Sequence, residues 1–150
     1  MRKTLNLLVA LSLVFFVKAQ EGMPVEFKYS SQKISDLEYE VRIEAKLEEG
    51  WHIYSQNTPD GGPVATNITF NKNPIIDLVG AVKEQGKLEK KLEPLFGVEV
   101  LQFSDKVVFV QKVKLKNKVK TAVSGSLLFM VCNEEMCMPG TRRSFSIPLQ

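Results

Sequence analysis

The chain has 150 residues, 44% of them hydrophobic, with 20 basic and 17 acidic side chains and two cysteines, which suits one domain with a real core and leaves no room for a second. Three of the cations, Arg2, Lys3 and Lys18, lie in residues 1–19, which hold no acid. The remainder is therefore close to neutral, and its net charge offers no electrostatic reason to expect nucleic acid or an anionic membrane as a partner.

In chain order, Arg2 and Lys3 precede an apolar run from Leu5 to Val17, followed by Val17-Lys18-Ala19 with small residues suited to a signal peptidase. The run is shorter than the ~20 residues that span a bilayer, and no later stretch is longer or more apolar. Residues 1–19 are therefore expected to be an export signal, and residues 20–150 a soluble exported domain without a transmembrane span. The clearest element follows at Glu38 to Leu47, where Tyr39, Val41, Ile43, Ala45 and Leu47 alternate with polar residues, the pattern of a strand with one buried face. Lys106 to Lys116 reads similarly, with Phe109, Val113 and Leu115 opposite Lys112, Lys114 and Lys116. Further strands are expected at Val25 to Tyr29, Trp51 to Ser55, Thr66 to Phe70, Thr121 to Cys132 and Arg143 to Leu149. Turns are marked by Glu49-Gly50, Pro59-Asp60-Gly61-Gly62-Pro63, Asn71 to Pro74 and Met138-Pro139-Gly140. Val82 to Leu92 contains Gly86 and shows no apolar stripe, so it reads as a solvated loop. About seven short strands with these turns predict a β-sandwich.

The chemistry concentrates in Met130-Val131-Cys132-Asn133-Glu134-Glu135-Met136-Cys137-Met138-Pro139-Gly140. An exported cysteine pair normally forms a structural disulfide. Here the pair closes a very small loop, and such a bridge stabilises by roughly 2 kcal/mol against about 4 to 5 for a domain-spanning one. The residues thus leave redox use and a passive bridge both open. Thiol exchange requires a thiolate, which Glu134 and Glu135 disfavour and which Arg142 and Arg143 favour if they fold back toward the pair. His52, the one histidine, reads as a strand or edge residue rather than a catalytic base. Met130, Met136 and Met138 beside Cys132 and Cys137 also make a soft-ligand set for Cu(I), although methionines beside an apolar strand are more often packing. Two thiolates without further histidines are a poor zinc site.

Three blocks, Gly50-Trp51-His52-Ile53-Tyr54-Ser55 with Gly61-Gly62-Pro63, then Leu95-Phe96-Gly97 leading into the strand after Asp105, then Cys132 to Pro139, together resemble a known family. This is the N-terminal periplasmic domain of the thiol:disulfide interchange protein DsbD, or disulfide-bond corrector domain. The resemblance implies an all-β, immunoglobulin-like sandwich with a cysteine-bearing hairpin and a cap loop. It implies a periplasmic protein-disulfide reductase or interchange component without a cofactor, in which Cys137 attacks the partner disulfide and Cys132 resolves the mixed disulfide. The cap would run from Glu93 to Gly97, with Phe96 or Leu95 as the shield and Tyr54 packing beneath the site. Partners would be thioredoxin-like proteins and a membrane electron-transfer protein in trans, because family proteins continue into membrane helices and this chain ends at Gln150. Pro139-Gly140 departs from the proline pair common in the family, which is expected to loosen the hairpin. A Cu(I)-binding module and a passive disulfide in a protein-binding sandwich are the rival expectations.

Overall fold

The structure, a computed structural model, describes residues 22–149, so the leader read over residues 1–19 lies outside the described residues. Eleven strands follow in chain order: β1 Val25–Lys33, β2 Glu38–Leu47, β3 His52–Tyr54, β4 Asn67–Phe70, β5 Ile76–Gly86, β6 Glu89–Glu93, β7 Val98–Phe103, β8 Lys106–Leu115, β9 Thr121–Phe129, β10 Val131–Cys132 and β11 Thr141–Leu149. The described residues contain no helix. The strands form three antiparallel sheets, ordered β1-β2-β8-β5, β11-β9-β4 and β10-β3-β7-β6.

The β-sandwich expected from the turn spacing, in the all-β, immunoglobulin-like form that the resemblance implies, is what forms. β2 shows why: Tyr39, Val41, Ile43, Ala45 and Leu47 are all buried, and the residues between them are not. One continuous core takes Val41 and Phe109 from the first sheet, Leu127 and Ile147 from the second, and Ile53, Phe103 and Val131 from the third. Each such side chain contributes about 1.5–3 kcal/mol by leaving water.

Three strands were not legible as such. Val82 to Leu92 is no solvated loop, since it comprises the end of β5, a two-residue link and most of β6. Both strands lie at the edge of their sheets and are exposed on much of their surface, so the burial that creates an alternating pattern is missing. Gly86 does not break β5: a Cβ there would lie 2.7 Å from the Lys106 carbonyl, so glycine permits the close approach of β8. β7 was passed over as well. The single strand expected over Thr121 to Cys132 divides at Met130, where the chain leaves the β11-β9-β4 sheet and enters the β10-β3-β7-β6 sheet.

Gly125 in β9 sits between Phe70 on β4 and Phe145 on β11, whose rings meet edge to face at 5.8 Å across it. A side chain at Gly125 would strike the Thr69 backbone carbonyl and come within 2.8 Å of the Phe145 ring. Backbone cannot rotate away as a side-chain end can. Gly125→Ala should therefore cost at least the ~1–3 kcal/mol typical of overpacking. Gly22→Ala, where a Cβ meets nothing within 4 Å, should change stability by less than ~0.5 kcal/mol. Urea midpoints of the two variants check the contrast.

Candidate functional site

β10 is two residues long, and alternation along a strand sends those residues to opposite faces. Val131 enters the main core. Cys132 faces the other way, into a second buried cluster with Tyr54 and Val100, around which Val98, Met130 and Cys137 pack. The chain then reverses through Asn133 to Met136. Asn133 N–H donates to the Met136 carbonyl at 2.9 Å, and Met138 N–H donates to the Val131 carbonyl at 2.9 Å. The Asn133 side-chain oxygen accepts from the backbone N–H groups of Glu135 (2.9 Å) and Met136 (2.8 Å), which holds the turn from within. Cys137 is thereby placed opposite Cys132, with which it forms a disulfide at a Cα separation of 4.0 Å. The two cysteines are not equivalent: Cys132 is 0% exposed, whereas Cys137 is partly open to solvent.

β10 pairs with β3, and Cys132 stands across from His52. His52 and Tyr54 lie two apart on the cysteine face of β3, while Ile53 between them enters the main core. Both meet Glu93 at the end of β6. Tyr54 OH donates to Glu93 Oε2 at 2.7 Å, and His52 Nε2 lies 2.9 Å from the same oxygen and 3.0 Å from the Tyr54 hydroxyl. Glu93 is only 2% exposed, and a buried carboxylate is tolerable only when hydrogen-bonded in this way. Burial, then the hydrogen bond and negative charge of Glu93, push the Tyr54 hydroxyl far above its ordinary value near 10, so it remains a donor.

Glu93 also begins the β6–β7 turn. Its carbonyl accepts from the N–H groups of Phe96 (3.2 Å) and Gly97 (2.8 Å), and Gly97 takes the left-handed φ of 67° that glycine allows. Of the three residues expected in a cap, Glu93 is thus the buried root, and Leu95 and Phe96 are exposed at the tip. Tyr54 packs directly against the cysteine cluster. A groove of about 610 Å³ opens between the hairpin turn and the root of the β6–β7 turn, lined by Trp51, His52, Leu92, Glu93, Asn133 and Glu134.

The three methionines do not converge. Met130 joins the cysteine cluster, Met138 packs on the main core, and Met136 is exposed at the turn tip. Arg142 and Arg143 are engaged along β11 instead of folding back: Arg142 donates to Ser126 Oγ at 3.0 Å, and the Arg143 guanidinium lies over the rings of Phe27 (5.6 Å) and Phe129 (6.0 Å). Asn133 and the Thr141 hydroxyl, which donates to the Pro139 carbonyl at 2.9 Å, bracket the hairpin despite Gly140. The bonds from His52 to Glu93, and the contacts of Val98 and Val100, escaped the sequence reading. The paired polar tips of His52 and Tyr54 on one strand face were the available signal, but their acceptor lies 41 residues from His52.

With this geometry in place, the relatives are informative. Residues 19–149 match the family described as thiol:disulfide interchange protein DsbD, N-terminal, and the chain belongs to that family. No curated protein sequence matches it. Its fold is similar to the N-terminal periplasmic domain of ScsB from Proteus mirabilis, with 18% identity, TM-score 0.55 and coverage of 81% of this chain. The match spans only 44% of that Proteus chain. It is also similar to the reduced Neisseria meningitidis DsbD N-terminal domain, with 16% identity, TM-score 0.50 and coverage of 81% of this chain and 83% of that one. The third is a complex between the DsbD N-terminal and PilB N-terminal domains of Neisseria meningitidis, with 16% identity, TM-score 0.52 and coverage of 91% and 88%. No helix among the described residues is long and apolar enough to cross a membrane.

Tyr54→Phe should remove one of the hydrogen bonds to the buried Glu93 and cost about 1–3 kcal/mol at neutral pH. The pH dependence has a definite sign. Because the folded phenol holds its proton above the unfolded value, the wild type should lose stability as pH rises beyond about 10. Tyr54→Phe should lose less over that range. Tyr29, also raised by burial, is present in both proteins and cancels from the difference. Denaturant melts at neutral and alkaline pH measure both effects.

Proposed function

We propose that this domain performs thiol-disulfide exchange in an exported compartment, with Cys137 as the attacking thiol and Cys132 as the resolving one. The observation that carries this reading is the unequal burial of the two cysteines, since exchange depends on which sulfur a partner can reach. The Cys137 thiolate attacks a partner disulfide, forms a mixed disulfide and releases one partner thiolate. Cys132 then attacks the Cys137 sulfur and releases the second partner thiol. The partner gains two electrons, and this domain ends with the Cys132–Cys137 disulfide. A dithiol donor, such as a membrane electron-transfer protein or a thioredoxin-like one, reverses the cycle. No cofactor is needed.

The β6–β7 turn supports a cap role. Glu93 fastens its root to His52 and Tyr54, while the side chains of Leu95 and Phe96 at the tip are exposed, an arrangement suited to a turn that swings aside for a partner. The groove beside the hairpin gives a partner segment somewhere to lie. That the related Neisseria domain forms a complex with the PilB N-terminal domain supports a protein as the exchange partner, and the periplasmic Proteus domain supports the same compartment.

Cys132→Ala should accumulate a mixed disulfide through Cys137 with an exported partner, visible on non-reducing gels and lost on reduction, whereas Cys137→Ala should trap far less through the buried Cys132. Failure to capture any partner while Cys137 alkylates freely would remove the mechanism. The pair should also show a reduction potential between about −180 and −270 mV, and a value below about −300 mV would mark it as structural.

A further inference from the structure

The near-zero net charge averages two opposite ends. At one end, the β1–β2, β4–β5 and β8–β9 connections meet: Leu115 N–H donates to the Leu37 carbonyl at 2.7 Å, Lys116 N–H to the Ile75 carbonyl at 3.0 Å, and the Asn73 amide to Thr121 Oγ1 at 3.2 Å. This end gathers Lys33, Lys72, Lys114, Lys116, Lys118 and Lys120 against Asp36, Glu38 and Asp77. Asp36 takes Lys33 and Lys118, and Asp77 takes Lys116, so Lys72, Lys114 and Lys120 form no ion pair among the described residues. At the other end, Leu47 N–H bonds the Asp105 carbonyl, and Gly50 and Glu134 line one groove beside the cysteine hairpin. That end carries Glu48, Glu49, Glu89, Asp105, Glu134 and Glu135 against Lys46, Lys87, Lys91 and Lys106, so it keeps an excess of acid. β9 runs between the two, with Thr121 at the lysine end and the chain entering the hairpin after Phe129, roughly 3 nm of strand.

Two large apolar side chains stand exposed among these lysines: Val119, flanked by Lys118 and Lys120, is 45% exposed, and Ile34, next to Lys33, is 55% exposed. A polyanion would engage the ammonium groups alone. A bilayer surface engages both kinds of group, the lysine heads at the phosphates and the aliphatic side chains in the interface.

We infer that the lysine end is a docking surface for an anionic phospholipid bilayer, which holds the acidic cysteine end away from the membrane and facing its partners. The attraction is electrostatic and reversible, because the contact is small and each lysine near an anionic surface is worth about fivefold in partitioning. The inference does not depend on the exchange chemistry.

The test is sedimentation of residues 20–150 with vesicles of phosphatidylcholine alone or one-third phosphatidylglycerol, at low and high salt. Binding is expected only to the anionic vesicles and is lost at high salt. Lys118→Glu with Lys120→Glu should reduce it by roughly twentyfold or more. Val119→Ser should reduce it several-fold without touching charge, and Lys106→Glu at the far end should leave it unchanged. Circular dichroism confirms that each variant is folded. No binding to anionic vesicles overturns the inference. So does binding that ignores Val119 and is matched by soluble polyglutamate, which would identify an acidic macromolecule as the occupant.

Discussion

The geometry of the site rests on one buried carboxylate. Glu93 is shielded from water almost completely, so its oxygens must find donors inside the protein, and the donors to its Oε2 both stand on β3. That requirement ties the end of β6 to the strand that pairs with Cys132. It also settles where the β6–β7 turn begins, because the same residue supplies the carbonyl that Phe96 and Gly97 bond. A shift of β3 by one residue would turn His52 and Tyr54 into the main core and leave Glu93 without partners. The register of the cysteine strand and the position of the β6–β7 turn are thus coupled through a single side chain.

The same alternation explains the inequality of the two cysteines. With Val131 committed to the core, Cys132 has only the opposite face, where Tyr54 and Val100 cover it. Cys137 lies beyond a turn closed by its own backbone and the Asn133 side chain, so it stays near the surface. These turn bonds involve neither sulfur, and the hairpin therefore retains its local restraints whether the pair is bonded or open. A reactive pair needs such a frame, since exchange demands that the thiols part and meet again without the surrounding fold reorganising.

Charge in this molecule is arranged by end, not by total. The strands that carry lysines toward the β8–β9 connection also separate them from the acids around the hairpin turn, leaving a long dipole on residues whose charges nearly balance. Close to the pair, Glu134 and Glu135 are exposed in the turn, and Arg142 and Arg143 are occupied along β11, so the cations nearest in sequence do not serve the thiols.

By itself the sequence determined the elements whose pattern is local. β2 was legible residue by residue because one of its faces is buried and the other is not, and the cysteine hairpin was legible because both its ends lie in one short segment. The strands β5 and β6 were not, because edge strands gain their hydrogen bonds from one neighbour without burying a face. The break at Met130 was hidden too, since nothing local distinguishes a strand that changes sheets from one that continues. Only the tertiary structure decided that Glu93 is the buried root of the β6–β7 turn, that His52 is bonded to it, that the methionines part company, and that the lysines collect at one end. Each of these follows from side chains tens of residues apart meeting through strand pairing, and a linear pattern carries the face a residue prefers but not the partner it finds there.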